Sequence, residues 1–529
     1  MAGKDTKVFK ITGGPGILTA EDNEALSDCG RIVRAGGLVA FPTETVYGLG
    51  ALATSGEAVR GIFEAKGRPQ DNPIIVHVAS LSEVESLVET FPENGRALAV
   101  RFWPGPLTLV MKSSGTVAPE VTAGLDTVGI RMPDHFVALE LIRRAGPIAA
   151  PSANVSGRPS PTTAGHVLSD LGGRIDAVID AGPTGVGLES TVLDISNEPA
   201  VILRPGGVTF EALRQVLPLV IQASHDGAER PRSPGQKYMH YAPKASLVLV
   251  RGDSPSAVAW RAAEEANVAL CAKKKVGIMA TLENLDFFRS LFSGSIERGD
   301  AIILNVGPRA SADEIAALLF ATLRRFDEAG VDTVVAEGVQ ETEIGVAIMD
   351  RLARGASRIV ESQFDRPLEV LFVCSGNTCR SPLAQAVFEQ KAAETGAGSR
   401  VRFVSAGLYA ADGHHATEHA RTVAAERGLN LECHYSRRLT PELVSDAGLI
   451  LTMEMAHRDE VLRRFPEARG KVFTLGEFVG DSGDEVRDPY GGSLDDYRST
   501  RAALEDLACK FFDKPMWRSL LGDPPDASR

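Results

Sequence analysis

Three different rhythms of apolar and polar positions divide this chain. Over residues 1–221 short apolar runs alternate with amphipathic stretches in irregular order. Helices are expected at 22–35, stopped by Gly36-Gly37, and at 57–66 and 134–145, where apolar residues recur every three or four positions. Strands are expected at 38–41, 74–78, 107–111, 128–132, 177–179, 191–195 and 201–203. Many short strands interleaved with helices, with no repeat, predict an α+β domain on a twisted, mixed sheet. Residues 222–245 are polar, carry Pro231, Pro234 and Gly235, and read as a linker. From 246 to 360 the pattern is plainer. Strands at 276–280, 301–306 and 333–336 alternate with helices at 312–329 and 344–356, which predicts a small Rossmann-like α/β domain. Residues 361–367 form a second linker. The third rhythm, 368–515, opens on a buried-type strand, carries another at 449–453 and closes with an amphipathic helix from 495 to about 512, before a polar tail at 516–529. The whole reads as an α/β multidomain protein.

Composition narrows the classes. A chain of 529 residues is too long for one core, and about three domains are expected. Hydrophobic content of 44% with 24% charged residues is that of ordinary globular protein. No apolar stretch reaches the ~20 residues of a membrane span, and the opening Met-Ala-Gly-Lys lacks the apolar core of a signal peptide. Six cysteines without a Cys-x-x-Cys pair fit neither a disulfide scaffold nor a zinc site, so no protein metal ligands are expected. A cytoplasmic location follows as an expectation. The net charge of −13 speaks against broad binding of nucleic acid. Anionic substrates must be drawn by local basic groups.

One such group is the loop Cys374-Ser375-Gly376-Asn377-Thr378-Cys379-Arg380-Ser381, which follows an apolar run and precedes Pro382. Pro suits a first helical turn, so strand, loop and helix start are read in that order. Successive loop amides and the helix N-terminus make an anion cradle. Arg380 can grip two phosphate oxygens, and Cys374 at the bottom is favoured as thiolate nucleophile. Asp488, in Asp488-Pro489-Tyr490-Gly-Gly, supplies the proton that a poor leaving group needs. With Ser405-Ala406-Gly407 and His434-Tyr-Ser-Arg-Arg, these residues resemble the low-molecular-weight protein phosphatase family, a parallel-sheet α/β fold. The resemblance implies a phosphoenzyme on Cys374, oxyanion binding by Arg380 and the loop, loop ordering by Asn377 and Ser381, and Asp488 as general acid. Thr378 and the Asp-Pro-Tyr-Gly-Gly-Ser segment are similar to the protein-arginine phosphatase branch. A phosphorylated protein is the expected substrate, phosphoarginine first and phosphotyrosine the alternative. Cys379, five residues from Cys374, is expected to form a reversible disulfide with it as an oxidation guard.

At the other end, Phe41-Pro-Thr43-Glu44-Thr45 sets hydroxyls and an acid after a strand, and Lys66-Gly67-Arg68-Pro69 offers two cations suited to a polyphosphate. No Gly-x4-Gly-Lys-Ser/Thr loop occurs, and Gly48-x-Gly50-x-x-Ala53 lies in the wrong place for a dinucleotide fingerprint. Arg131, Pro151-Ser152-Ala-Asn154, Glu189-Ser190-Thr191 and Arg204-Pro-Gly follow at strand ends, where clefts form. This ordered series resembles the YrdC-type threonylcarbamoyl-AMP synthase family, and the 233–243 segment resembles the linker of its long form. The resemblance implies synthesis of threonylcarbamoyl-adenylate from L-threonine, bicarbonate and ATP with release of pyrophosphate, for tRNA threonylcarbamoyladenosine modification. It implies Thr45, His77, Arg131, Ser152 and Ser190 around threonine. Lys66, Arg68, Asn72, Thr127, Asn154, Thr162, Arg204 and Tyr241 are implied around ATP, with Mg2+ accompanying the triphosphate. A tRNA threonylcarbamoyl transferase complex is the implied downstream partner.

A fused bifunctional enzyme is therefore expected. The competing reading is an RNA-binding first domain joined to an inactive phospho-reader. Net acidity and an aromatic content of 6% weigh against the first half of that reading. The intact Cys374, Arg380 and Asp488 weigh against the second.

Overall fold

The computed structural model describes residues 4–223, 241–252, 254–362, 368–398, 401–480 and 485–513. Most of the linker expected at 222–245, including the 233–240 motif, lies outside the described residues, as do 363–367 and the polar tail. The chain divides into two compact units. One comprises Met1–Leu249, Val306–Gly330 and Gly338–Ile359; the other comprises Val250–Asn305, Val331–Glu337 and Val360–Arg529. The 246–360 segment is thus shared between them.

In the first unit, eleven strands among the described residues form one mixed sheet. At its centre lie Val39–Phe41, Gly48–Leu52, Ile148–Ala149, Val76–His77, Thr127–Arg131, Leu107–Lys112 and Thr191–Asp194, neighbours in that order. Side chains alternate across a strand. Val39 and Phe41 accordingly enter one core with Leu26 and Leu141, while Ala40 enters another with Ile62 and Leu109. The first core is covered by helix Ala20–Arg34, whose start is fixed by a capping box between Thr19 and Asp22.

Two departures from the sequence reading have plain causes. The strand expected at 74–78 shortens to Val76–His77. Pro73 has no N–H, and the Ile74 N–H donates to Val121 O at 2.8 Å instead of joining the ladder. Gly48–Leu52 is a strand that composition argues against, since glycine weakens strands. Here it is needed: a Cβ on Gly50 would stand 2.7 Å from the Ile148 side chain and 2.8 Å from Phe41.

In the second unit, Ala301–Asn305, Val276–Ala280 and Thr333–Glu337 form a parallel ladder in that order. A separate four-stranded parallel sheet runs Val401–Gly407, Leu368–Cys374, Leu449–Thr452, Val472–Thr474. Its strands are near-continuous apolar runs, as burial on both faces requires. Helices Arg380–Glu394 and Leu494–Asp513 pack together. Phe372, Phe388, Phe403 and Phe511 join them in one ring cluster with centroids 4.8–6.4 Å apart. No helix among the described residues is long and apolar enough to cross a membrane.

Candidate active sites

The first cleft lies in the mixed sheet. Its floor is a pair of cations, Lys66 buried and Arg68 partly buried. Lys66 closes helix Gly56–Lys66, and Gly67, at φ 61°, turns the chain so that Arg68 enters the same cleft. The Lys66 ammonium donates to Ser152 O and, at 2.5 Å, to Asn154 O. Burial, reinforced by the Arg68 charge, holds its pKa well below the ordinary lysine value. Arg68 Nη2 donates to Asn72 O at 3.4 Å and Pro73 O at 3.1 Å, and burial pulls its guanidinium down to about 10. Two cations are thus held close together and short of water, an arrangement that a polyanion relieves.

Across the cleft, Arg131 ends strand Thr127–Arg131 beside His77, its register partner. Arg131 meets Glu44 at 2.7 Å, and its Nε donates to Gly105 O at 3.2 Å. The His77 imidazole is pushed down to about 3 by burial and the Arg131 charge. Arg204 donates to Ser190 O at 3.1 and 2.9 Å, and the Ser190 hydroxyl lies 2.8 Å from that of Thr108. Tyr241, at φ 67°, stacks on Phe320 at 5.4 Å and receives the Arg351 guanidinium at 5.3 Å. Glu189 binds Arg351 at 2.8 Å. Burial opposes its charge, but Arg351 and Arg204 overrule burial and keep its carboxyl below the ordinary range.

Buried polar atoms are normally paired. Arg68 Nε, both amide atoms of Asn72, His77 Nδ1, Arg131 Nη2, Asn154 Oδ1 and both Glu44 oxygens have no hydrogen-bond partner among the described residues. Arg68, His77, Arg131 and Asn154 line this cleft; Glu44 stands between the lining residues Thr43 and Thr45, and Asn72 lies behind Arg68.

The second site stands at the C-terminal end of strand Leu368–Cys374, where ligands of parallel sheets bind. Cys374 is buried, 3.0 Å from the Ser381 hydroxyl, and its sulfur accepts the Asn377 N–H at 3.2 Å. Asn377 is fully buried at φ 55°; its Nδ2 donates to Ser381 Oγ at 2.9 Å and its Oδ1 accepts from Arg437 N at 2.9 Å. His434 Nε2 lies 2.8 Å from Asn377 O. Arg380 opens helix Arg380–Glu394, and its fork spans two carboxylates, Glu454 and, at 2.7 Å, Asp488. The Ser375 hydroxyl sits 2.8 Å from His457 Nε2 and accepts from Arg380 Nη2 at 3.4 Å. Cys379 is buried against Tyr497, its sulfur 3.3 Å from the phenol oxygen. Tyr409, His414 and Tyr490 complete the cavity wall.

Residues 31–206 match the family model described as "Telomere recombination". Residues 208–357 match that of the threonylcarbamoyl-AMP synthase C-terminal domain, and 369–519 that of low molecular weight phosphotyrosine protein phosphatase. The threonylcarbamoyl-AMP synthase of Bacillus subtilis is 46% identical over 335 residues, 63% of this chain and 92% of its own length. The protein-arginine-phosphatase of Geobacillus stearothermophilus is 41% identical over 148 residues, 28% of this chain and 96% of its own. The chain belongs to the threonylcarbamoyl-AMP synthase family and, from Glu369 on, to the low-molecular-weight phosphatases. In the synthase part, the crystal structure of P. abyssi Sua5 complexed with L-threonine superposes with a TM-score of 0.61 at 41% identity, covering 67% of this chain and 99% of that one.

Of the residues singled out from the sequence, Thr45, Lys66, Arg68, His77, Arg131, Ser152, Asn154, Ser190, Arg204 and Tyr241 line the synthase cleft together. Asn72 is buried behind Arg68. Thr127 begins the strand that Arg131 ends, and Thr162 is buried with its hydroxyl 3.4 Å from His166 Nδ1; neither lines the cleft. In the phosphatase cavity, Cys374, Ser375, Gly376, Thr378, Cys379, Arg380 and Asp488 stand together, and Asn377 and Ser381 lie behind the loop. Glu189, Glu454 and His457 were assigned no role from the sequence. The only signal was position: Glu189 lies two residues before strand Thr191–Asp194, Glu454 immediately precedes helix Met455–Arg464, and His457 lies in the first turn of that helix.

Proposed function

We propose that this chain is a bifunctional enzyme, an L-threonylcarbamoyladenylate synthase joined to a protein phosphatase that acts on phosphoarginine. Two differently built anion sites carry the reading: the Lys66–Arg68 pair in the synthase cleft, and a cysteine whose sulfur accepts a loop amide beside a two-pronged arginine.

In the synthase, Arg131 takes the threonine carboxylate, with Thr45, His77, Ser152 and Ser190 around the amino acid. Lys66 and Arg68 hold the triphosphate, and Asn154, Arg204 and Tyr241 enclose the nucleotide, with Asn72 fixing Arg68. Thr127 and Thr162 contribute through backbone rather than side-chain contacts. Threonine nitrogen attacks the carbon of bicarbonate, and a carbamate oxygen then attacks the α-phosphorus and expels pyrophosphate. Neither step needs a side-chain nucleophile, so positioning and charge neutralisation supply the rate. Glu189 is bound by Arg351, and Glu44 is held against the Arg131 charge, so neither is offered as a metal ligand. Magnesium therefore enters with the triphosphate, and no step is routed through protein ligands to it. The product feeds a tRNA threonylcarbamoyl transferase, which places the protein in the cytoplasm.

In the phosphatase, the Cys374 sulfur attacks phosphorus, Arg380 and the 375–380 amides hold the oxyanion, and Asp488 protonates the departing nitrogen. Purified full-length protein should release pyrophosphate only with threonine, bicarbonate and ATP together, and should hydrolyse phosphoarginine faster than phosphotyrosine. Salt-dependent tRNA binding without threonine-dependent ATP turnover would overturn the synthase half. Faster phosphotyrosine hydrolysis would overturn the specificity.

A further inference from the structure

Glu44, set between the cleft-lining residues Thr43 and Thr45, meets Arg131 at the cleft edge without satisfying it. Their charges meet at 2.7 Å, and their side chains are 13% and 5% exposed. Yet neither Glu44 oxygen nor Arg131 Nη2 has a hydrogen-bond partner among the described residues. The contact is one of charge, off the direction a hydrogen bond requires. Both groups are nevertheless fixed. Arg131 is held by Gly105 O and by its strand. Glu44 sits between Thr43 and Thr45, whose hydroxyls lie 2.8 Å apart, and its own carbonyl accepts from Val186 N at 2.7 Å.

An α-amino acid zwitterion satisfies both groups at once. Its carboxylate suits the guanidinium, and its ammonium brings three donors to a carboxylate that has none. One carbon separates the two charges. An amino acid whose carboxylate engages Arg131 therefore sets its ammonium against Glu44. An ammonium has no lone pair, and its nitrogen cannot attack carbon until a proton leaves.

We propose that Glu44 is the general base that takes this proton from bound threonine, an inference that rests on the synthase reading of the cleft. The Glu44 carboxylate accepts one proton from the ammonium. The freed nitrogen lone pair forms the C–N bond to bicarbonate, a C–O bond breaks, and hydroxide departs with the second amine proton as water. Carbamate, water and a protonated Glu44 remain, and Glu44 returns its proton to solvent when product leaves. The charged and titratable groups facing Glu44 are Arg131, His77 beside it, and His135 at the start of helix Phe136–Ala145. His77 is the rival base, but burial, with the Arg131 charge beside it, makes it a poor proton acceptor.

The test is Glu44→Gln in the full-length protein, assayed for threonine-dependent pyrophosphate release at saturating substrates across pH. At neutral pH kcat should fall about 100-fold or more. The deficit should shrink at alkaline pH, where threonine loses its proton in solution, and ATP binding by titration should match the parent. A Glu44→Gln rate within about twofold of an active parent overturns the proposal. So does a deficit that is the same at every pH, since that is what a mere prop for Arg131 would give. Should Glu44→Gln not fold, Glu44→Asp withdraws the carboxylate by one methylene and should lose about tenfold or more; a parent-like rate overturns the proposal. An inert parent is a separate result and overturns the synthase reading itself.

Discussion

Asp488 Oδ2 accepts a hydrogen bond from Arg380 Nη2 at 2.7 Å. The arginine is buried, while the aspartate side chain is 44% exposed and can swing away. In the proposed phosphatase reaction, a phosphoryl group entering the loop takes Arg380 Nη2 from Asp488 and frees that carboxyl to face the leaving nitrogen.

Asp488→Asn should therefore lower kcat on phosphoarginine by about 10²–10⁴-fold. An aryl phosphate with an acidic phenol needs no proton and should lose much less. Steady-state rates on the two substrates check this, and equal losses on both would contradict the role of Asp488.

Lys66 is bound to two carbonyls, Ser152 O and Asn154 O, which leaves its third N–H for a phosphate oxygen. Lys66→Ala should cut pyrophosphate release about 10²–10³-fold and strand both carbonyls, at a cost of about 1–3 kcal/mol in stability. Phosphatase activity of the same preparation should stay at the parental rate. Paired assays with a thermal melt decide it.

Gly407 lies where the phosphatase loop crosses its neighbouring strand. A Cβ there would stand 2.8 Å from both Asn377 N and Ser375 O. Gly407→Ala changes no hydrogen-bonding group, yet it must displace the loop that holds the oxyanion. A loss of about tenfold or more in kcat/KM is expected, because small misplacement of a preorganised site is costly. Full activity in this variant would show that the loop tolerates the shift.

The buried imidazole of His77 gives the first unit an acid-sensitive component. Its pKa is pushed from the ordinary 6.5 down to about 3 on folding. Between those values the unfolded chain binds a proton that the folded chain refuses, so stability is lost as pH falls from 6.5 towards 3. Above 6.5 the group is neutral in both states and has no effect. His77→Gln should flatten this part of the acid limb in thermal melts taken across that range; an unchanged slope would contradict it.

The chemistry of both sites was legible because it is written in short segments whose residues are neighbours in the chain. Cys374 to Ser381 is one turn of backbone, and Lys66-Gly-Arg68 is one helix end, so spacing alone brings the groups together. The long-range pairings they make were not legible. Glu44 reaches Arg131 across 87 residues, and Arg380 reaches Glu454 and Asp488 across 74 and 108. Gly48–Leu52 hid as a strand because its glycines serve a close approach by Phe41 and Ile148, a reason invisible in local propensity.

Sequence by itself determined the alternation of elements, the three rhythms of burial and the two reactive segments, since periodicity and turn chemistry act over a few residues. Tertiary structure alone decided which charges are buried together and which polar atoms are left unpaired. Those depend on contacts between strands far apart in the chain, and on the withdrawal of water that makes Lys66, Arg68 and His77 differ from the same side chains in solution.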